Sequence, residues 1–217
     1  VIVDPEDCRP GDTAVICNPN NPTGRALARE EVLSISEGLR RRDVALIVDE
    51  AFIDYCPGHS VRGDVRDCFR VVGSLTKILC IPGVRLGYVC ASAREIAAME
   101  KLAPPWALNA FAAAVAAELP RHMDEMRRDA IENSARRDRF AARLKDIGAN
   151  PLPSQANFIL CDFGWDMAKV TAHLKSHGIL VRECASFGLG GSYLRLAVRT
   201  DEENDRLIGE IMQCPES

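Results

Sequence analysis

Val44-Ala45-Leu46-Ile47-Val48-Asp49-Glu50-Ala51 is an apolar, partly β-branched run that stops abruptly on two acids. A short run of this kind reads as a buried strand, and acids at its carboxyl end stand where open α/β sheets place their ligands. A similar run at 14–17 and a helical pattern over 27–42 come before it, and runs at 71–75 and 86–91 follow. This alternation of short apolar runs with helical patterns predicts an α/β fold whose strands are buried on both faces. Two apolar helices are expected at 93–102 and 107–119. Pro120 then precedes a long charged helix over 121–147, which Gly148 closes. The remainder predicts a strand at 158–161, a helix at 166–177, strands at 179–183 and 193–198, and a final helix from Asp201. The composition shift divides the chain into a larger α/β domain over 1–120 and a small α+β domain over 121–217, which includes the long connecting helix.

The 217 residues are 47% hydrophobic, enough for a real core, and disorder is excluded. With 27 Lys+Arg against 31 Asp+Glu, the net charge of -4 lacks the positive surplus of a phosphate-backbone binder, so nucleic acid is not expected as a partner. The longest apolar stretch, 110–117, is far short of the roughly 20 residues a membrane span needs. Nine cysteines form no C-x-x-C pair and mostly sit inside apolar runs, as reduced thiols do, which points to the cytoplasm. The chain starts at Val1, on what reads as a strand or loop already in progress, and an amino-terminally truncated chain is expected.

Three further stretches carry chemistry. Asn18-Pro19-Asn20-Asn21-Pro22-Thr23-Gly24 lies between a strand and a helix, and on its own it is a rigid turn, with two prolines fixing φ and asparagines bonding the local backbone. Ser74-Leu75-Thr76-Lys77 ends another strand. Arg85 stands eight residues beyond the lysine, after Pro82-Gly83.

In this order and spacing, N-P-T-G, D-E-A, S-x-x-K and an arginine at lysine plus eight resemble the fold-type I pyridoxal-phosphate enzymes of the class I/II aminotransferase family, over essentially the whole chain. The resemblance implies pyridoxal 5'-phosphate as cofactor and a homodimer as the assembly. By position, Lys77 would bond covalently to the cofactor aldehyde, Asn21 would donate to its phenolic oxygen, and Asp49 would pair with its ring nitrogen. Ser74, Thr76 and Arg85 would hold the 5'-phosphate. Each role suits its residue type, since a carboxylate keeps a pyridine nitrogen protonated and an arginine with hydroxyls matches a phosphate dianion. In Tyr193-Leu194-Arg195-Leu196, Arg195 matches the family arginine that grips the substrate's carboxylate or phosphate. Arg182 matches a second arginine used by phosphorylated substrates, and Asn157 matches a position beside the substrate. On residue type alone, the alternative is an outward-facing arginine on an edge strand, which fits Arg182 more readily than Arg195, and for Asn157 a turn residue that caps a strand.

Within the family, CNPNNPTG, VDEAFIDY, SLTKILCIPGVRLGY, PWALNAFA, QANFIL and YLRLAVRTDEEN look most like the branch that decarboxylates phosphorylated threonine for cobalamin biosynthesis. The branch that transaminates histidinol phosphate is the alternative within the family. Phe52 is the telling position: most of the family carries tyrosine there, whose hydroxyl bonds the cofactor's phenolic oxygen. Phenylalanine removes that donor, unless it simply packs at the strand end. A fragment without catalytic activity is the alternative of a different class.

His173 and His177 stand at i and i+4 of a helix and could bind zinc, but no third ligand is near in sequence and His59 and His122 are remote, so a solvated helix face is expected and no metal. Gly188-Leu189-Gly190-Gly191-Ser192 lies between strands and reads as a loop, not a phosphate cradle. The arginine clusters at 40–42 and 136–139 read as solvated faces. Glu50 should point away from Asp49, because strand side chains alternate.

Overall fold

The computed structural model describes residues 7–214, so the opening residues, read above as a strand or loop in progress, lie outside the described part. The chain divides into two compact units, one of residues 7–19 and 26–128 and the other of 20–25 and 129–214. The dividing line falls inside the long helix, at 128/129, and the loop 20–25 packs with the second unit.

The first unit carries β1 (Thr13–Cys17), α1 (Arg29–Arg40), β2 (Ala45–Asp49), β3 (Phe69–Ser74), α2 (Leu75–Ile78), β4 (Gly87–Cys90), α3 (Ala93–Glu100) and α4 (Ala110–Glu118). Its sheet runs in the order β1-β2-β3-β4, with the first three strands parallel and β4 antiparallel to β3. Val32 and Leu39 on α1 pack with Leu46 and Val48 of β2 and Phe69 and Val71 of β3. The expectation of strands buried on both faces is corrected here. On β2 only Leu46 and Val48 are buried, while Ala45, Ile47 and Asp49 between them are half-exposed, and Val15 on β1 is 64% exposed. The α1 core covers one face, and the alternation of strand side chains turns the other residues away from it. The strand that ends on Ser74 also gives way directly to α2, a short helix that the apolar run at 71–75 concealed.

Helix α5 (Met123–Asp146) leads to the second unit, with β5 (Asn150–Pro151), β6 (Phe158–Asp162), α6 (Ala168–Ser176), β7 (Arg182–Glu183), β8 (Tyr193–Ala197) and α7 (Asp201–Gln213). This sheet is antiparallel, in the order β5-β6-β8-β7. Phe140 and Leu144 of α5, Ile159 and Cys161 of β6, Leu194 and Leu196 of β8, and Leu207, Ile208 and Ile211 of α7 form its core. The strand expected over 179–183 shrinks to Arg182–Glu183. Gly178, at φ +73°, and Ile179 instead close α6, their N–H groups donating to the carbonyls of Lys175 and Leu174. Helix α7 begins where expected, because Thr200 Oγ1 accepts from the Glu203 N–H while the Glu203 carboxylate accepts from the Thr200 N–H.

Candidate active site

In the first unit, strand register decides which side chains share a face. Cys17 of β1 is in register with Asp49 of β2, and Asp49 with Val72 of β3. Ser74, two residues beyond Val72, therefore lies on the same face as Asp49 and Cys17. This is the face turned away from the α1 core. The Cys17 thiol donates to Asp49 Oδ2 over 3.9 Å, and the Ala51 N–H donates to Asp49 Oδ1 at 2.9 Å. Burial and then the neighbouring Asp49 carboxylate push the Cys17 thiol above its ordinary pKa, so it stays protonated and remains a donor.

The segment after Asp49 returns to meet Lys77. Lys77 Nζ stands 5.8 Å from the centre of the Phe52 ring, and the Tyr55 hydroxyl donates to the Lys77 main-chain carbonyl at 3.0 Å. The Ser74 and Thr76 hydroxyls are 2.8 Å apart, so they point into one place. Arg85 is brought close along the chain, because Leu75 N–H donates to Leu86 O and Ser74 is in register with Gly87. Its guanidinium, however, is exposed and donates to the Pro82 carbonyl at 3.0 Å. Lys77, Phe52, Ser74 and Thr76 thus gather at the carboxyl ends of β2 and β3 beside Asp49. Glu50 turns the other way, fully buried, and its carboxylate accepts from Ser60 Oγ and Val61 N–H at 2.7 Å each, which is a structural role.

In the second unit, Asn21 Oδ1 accepts from Arg195 Nη1 at 2.5 Å. With the oxygen end of the amide engaged, the NH2 end is the one oriented to donate elsewhere. The loop that carries Asn21 is held by Gly24, whose φ is +73° and where an added Cβ would stand 2.0 Å from Ser154 Oγ. Only glycine fits there. Arg195 lies over the Phe158 ring at 4.9 Å, and Asn157 directly precedes that phenylalanine and accepts from Val198 N–H through its main-chain carbonyl. Arg182 of β7 is directly opposite Arg195 of β8 in the antiparallel register. Two cations facing each other across a ladder repel, and burial together with Arg182 lowers the pKa of Arg195. An anion on that face would relieve the repulsion. Arg182 is exposed, donates to Ser186 Oγ at 2.9 Å and lies 5.6 Å from the Phe187 ring.

Sequence reasoning missed Tyr55, Cys17 and Phe158. Phe158 was open to a period-2 reading, since it shares a strand face with Leu160, the register partner of Arg195. Tyr55 and Cys17 carry no such signal, because a hydroxyl donating to a carbonyl 22 residues away and a thiol meeting an acid across strands are matters of tertiary register.

The family model for class I and II aminotransferases matches residues 8–211. The chain is 34% identical over 212 residues to a histidinol-phosphate aminotransferase of Granulibacter bethesdensis, covering 93% of this chain and 56% of that protein. It is 32% identical over 217 residues to a threonine-phosphate decarboxylase of Salmonella typhimurium, covering 92% and 57%. The crystal structure of L-threonine-O-3-phosphate decarboxylase from Porphyromonas gingivalis superposes with a TM-score of 0.83 at 25% identity, covering 93% of this chain and 63% of that one. The chain therefore spans little more than half the length of the curated relatives it matches. Its fold is the α/β fold of the fold-type I pyridoxal-phosphate enzymes.

Proposed function

This chain belongs to the class I and II aminotransferase family, and from that membership we propose that it takes pyridoxal 5'-phosphate and removes carbon dioxide from L-threonine O-3-phosphate. The donor set of the first unit suits that cofactor: a lysine amine, a carboxylate on the same sheet face as Ser74, two hydroxyls 2.8 Å apart and an arginine close along the chain. When bound, pyridoxal 5'-phosphate supplies a sink for the electron pair left on Cα as a bond to that carbon breaks. Lys77 would supply the amine that anchors it and, when free, an amine able to carry a proton to Cα. Asp49 would hold a proton on the ring nitrogen, its own carboxylate being steadied by Cys17 and by the Ala51 N–H. Ser74, Thr76 and Arg85 take the phosphate dianion, the arginine exchanging the Pro82 carbonyl for it. Arg195 and Arg182 take the anionic groups of the substrate. The Cα–carboxylate bond breaks, carbon dioxide leaves with neither electron of that bond, Cα gains a proton, and 1-amino-2-propanol O-phosphate is the product.

The observation that carries this reading is Phe52. It stands beside Lys77 where most of the family has a phenol, and Tyr55, three residues on, spends its hydroxyl on the Lys77 carbonyl. The facing arginines support a substrate rich in negative charge. A second reading, transamination of histidinol phosphate, is favoured by the names of several relatives of similar identity. There Lys77 would move the Cα proton, and the carboxylate would not leave. The test is to incubate the cofactor-loaded protein with O-phosphothreonine and no keto acid. Release of carbon dioxide is expected; turnover only with 2-oxoglutarate and histidinol phosphate would replace the first reading with the second. We propose a homodimer as the working assembly, supported by the large apolar side chains that the first unit leaves exposed at Leu102, Trp106 and Phe111.

A further inference from the structure

The histidine pair at the carboxyl end of α6, His173 within the helix and His177 capping it, lacks a third ligand in the sequence around it, but the fold supplies one. Glu210 of α7 meets both histidines: His173 Nε2 lies 3.0 Å from Glu210 Oε2, and His177 Nδ1 lies 3.9 Å from the same oxygen. One ligand atom from each of the three residues lies within 4.8 Å of the others, and the two rings are 4.3 Å apart at their centres, tilted by 40°. All three belong to the second unit.

We propose that His173, His177 and Glu210 form a zinc site, with solvent completing the coordination. Two imidazoles and one carboxylate are a donor set that tetrahedral Zn2+ takes, and bonds of about 2.0–2.2 Å hold ligand atoms roughly 3.4 Å apart. The observed separations bracket that spacing, so loading needs side-chain rotation and no movement of the helices. The ion takes the place of the hydrogen bonded between His173 and Glu210. His177 Nδ1 leaves its contacts with the His173 carbonyl at 3.0 Å and Ser176 Oγ at 3.1 Å, or the ring turns to present its other nitrogen. The site is open on one side: the side chains of His173 and Glu210 are about one-fifth exposed, and His177 is 47% exposed. That opening admits the ion and leaves room for a water ligand. Arg206 approaches from α7, but its guanidinium is engaged by the His177 main-chain carbonyl. The consequence is a clamp between the end of α6 and α7, and it stands independently of the reaction proposed above.

Nine thiols are competing ligands, so the probe must separate nitrogen and oxygen ligation from sulfur. Titration of the full chain with Co2+, followed by displacement with Zn2+, does this, because thiolate ligands give intense near-ultraviolet charge-transfer bands that imidazole and carboxylate do not. The expected result is one ion per chain with visible bands and no thiolate band, and a loss of affinity of at least tenfold in both His177→Gln and Glu210→Gln. His177→Gln replaces an exposed side chain and Glu210→Gln can keep a hydrogen bond to His173, so both variants should fold; circular dichroism verifies this. Unchanged affinity in both variants, a spectrum dominated by thiolate, or no stoichiometric binding by the parent chain overturns the proposal.

Discussion

Phe52 and Arg195 are the side chains on which the proposed reaction bears most directly. A phenol at position 52 would donate to the phenolic oxygen of bound cofactor and stabilise its charged form, so the bonded lysine nitrogen would lose its proton more readily. Phe52→Tyr is therefore expected to lower the pH midpoint of the cofactor's visible absorbance, as spectrophotometric titration will show; an unmoved midpoint would mean that the ring at 52 only packs. Arg195 is held by Asn21 and by the Phe158 ring while facing the positive charge of Arg182. Charged hydrogen bonds contribute about 1.5–3 kcal/mol, or roughly ten- to hundredfold in binding. Arg195→Ala should raise KM by that factor and change the cofactor absorbance much less, since Lys77, the proposed anchor, lies on another element. Loss of the spectrum altogether would show that this arginine serves the fold.

The elements of the second unit are joined by ion pairs as well as by apolar packing. Arg139 and Arg143 of α5 pair with Asp201 and Asp205 of α7, and Arg199 pairs with Glu203. The hydrogen bond from Arg139 holds the Asp201 carboxyl below the usual carboxylate range, and the one from Arg199 does the same for Glu203. A carboxyl whose pKa is depressed by folding binds its proton more tightly in the unfolded chain. It therefore adds stability above its ordinary pKa and loses that contribution as the pH falls through the folded value. These groups lie at the surface, where salt screens them, so each contribution is small. Urea unfolding should show the α5–α7 region weakening as the pH drops below the ordinary carboxylate range, with a shallower dependence in high salt. A midpoint insensitive to both would assign α7 entirely to Leu207, Ile208 and Ile211.

At the scale of the whole molecule, each unit has its own core, and the first leaves large apolar residues exposed. Trp106 is 95% exposed and Phe111 78%, and burying large apolar side chains such as these is favourable. The proposed homodimer would cover them, and Phe111→Asp should then increase the monomer fraction measured by light scattering; a parent chain that is monomeric at micromolar concentration would contradict the assembly. Among the described residues, no helix is long and apolar enough to cross a membrane. The order of elements, the α/β character and the motif residues are legible along the chain, because apolar periodicity and turn chemistry act over a few neighbouring residues. The sequence made the strand at 179–183 too long, since a glycine-led helix stop and an apolar strand start look alike locally. It also found two histidines without their acid. Only the tertiary structure put Asp49 and Ser74 on one sheet face, set Arg182 against Arg195, and carried Glu210 to the histidine pair. Register and helix packing join residues tens of positions apart, and no local pattern encodes a distance between them.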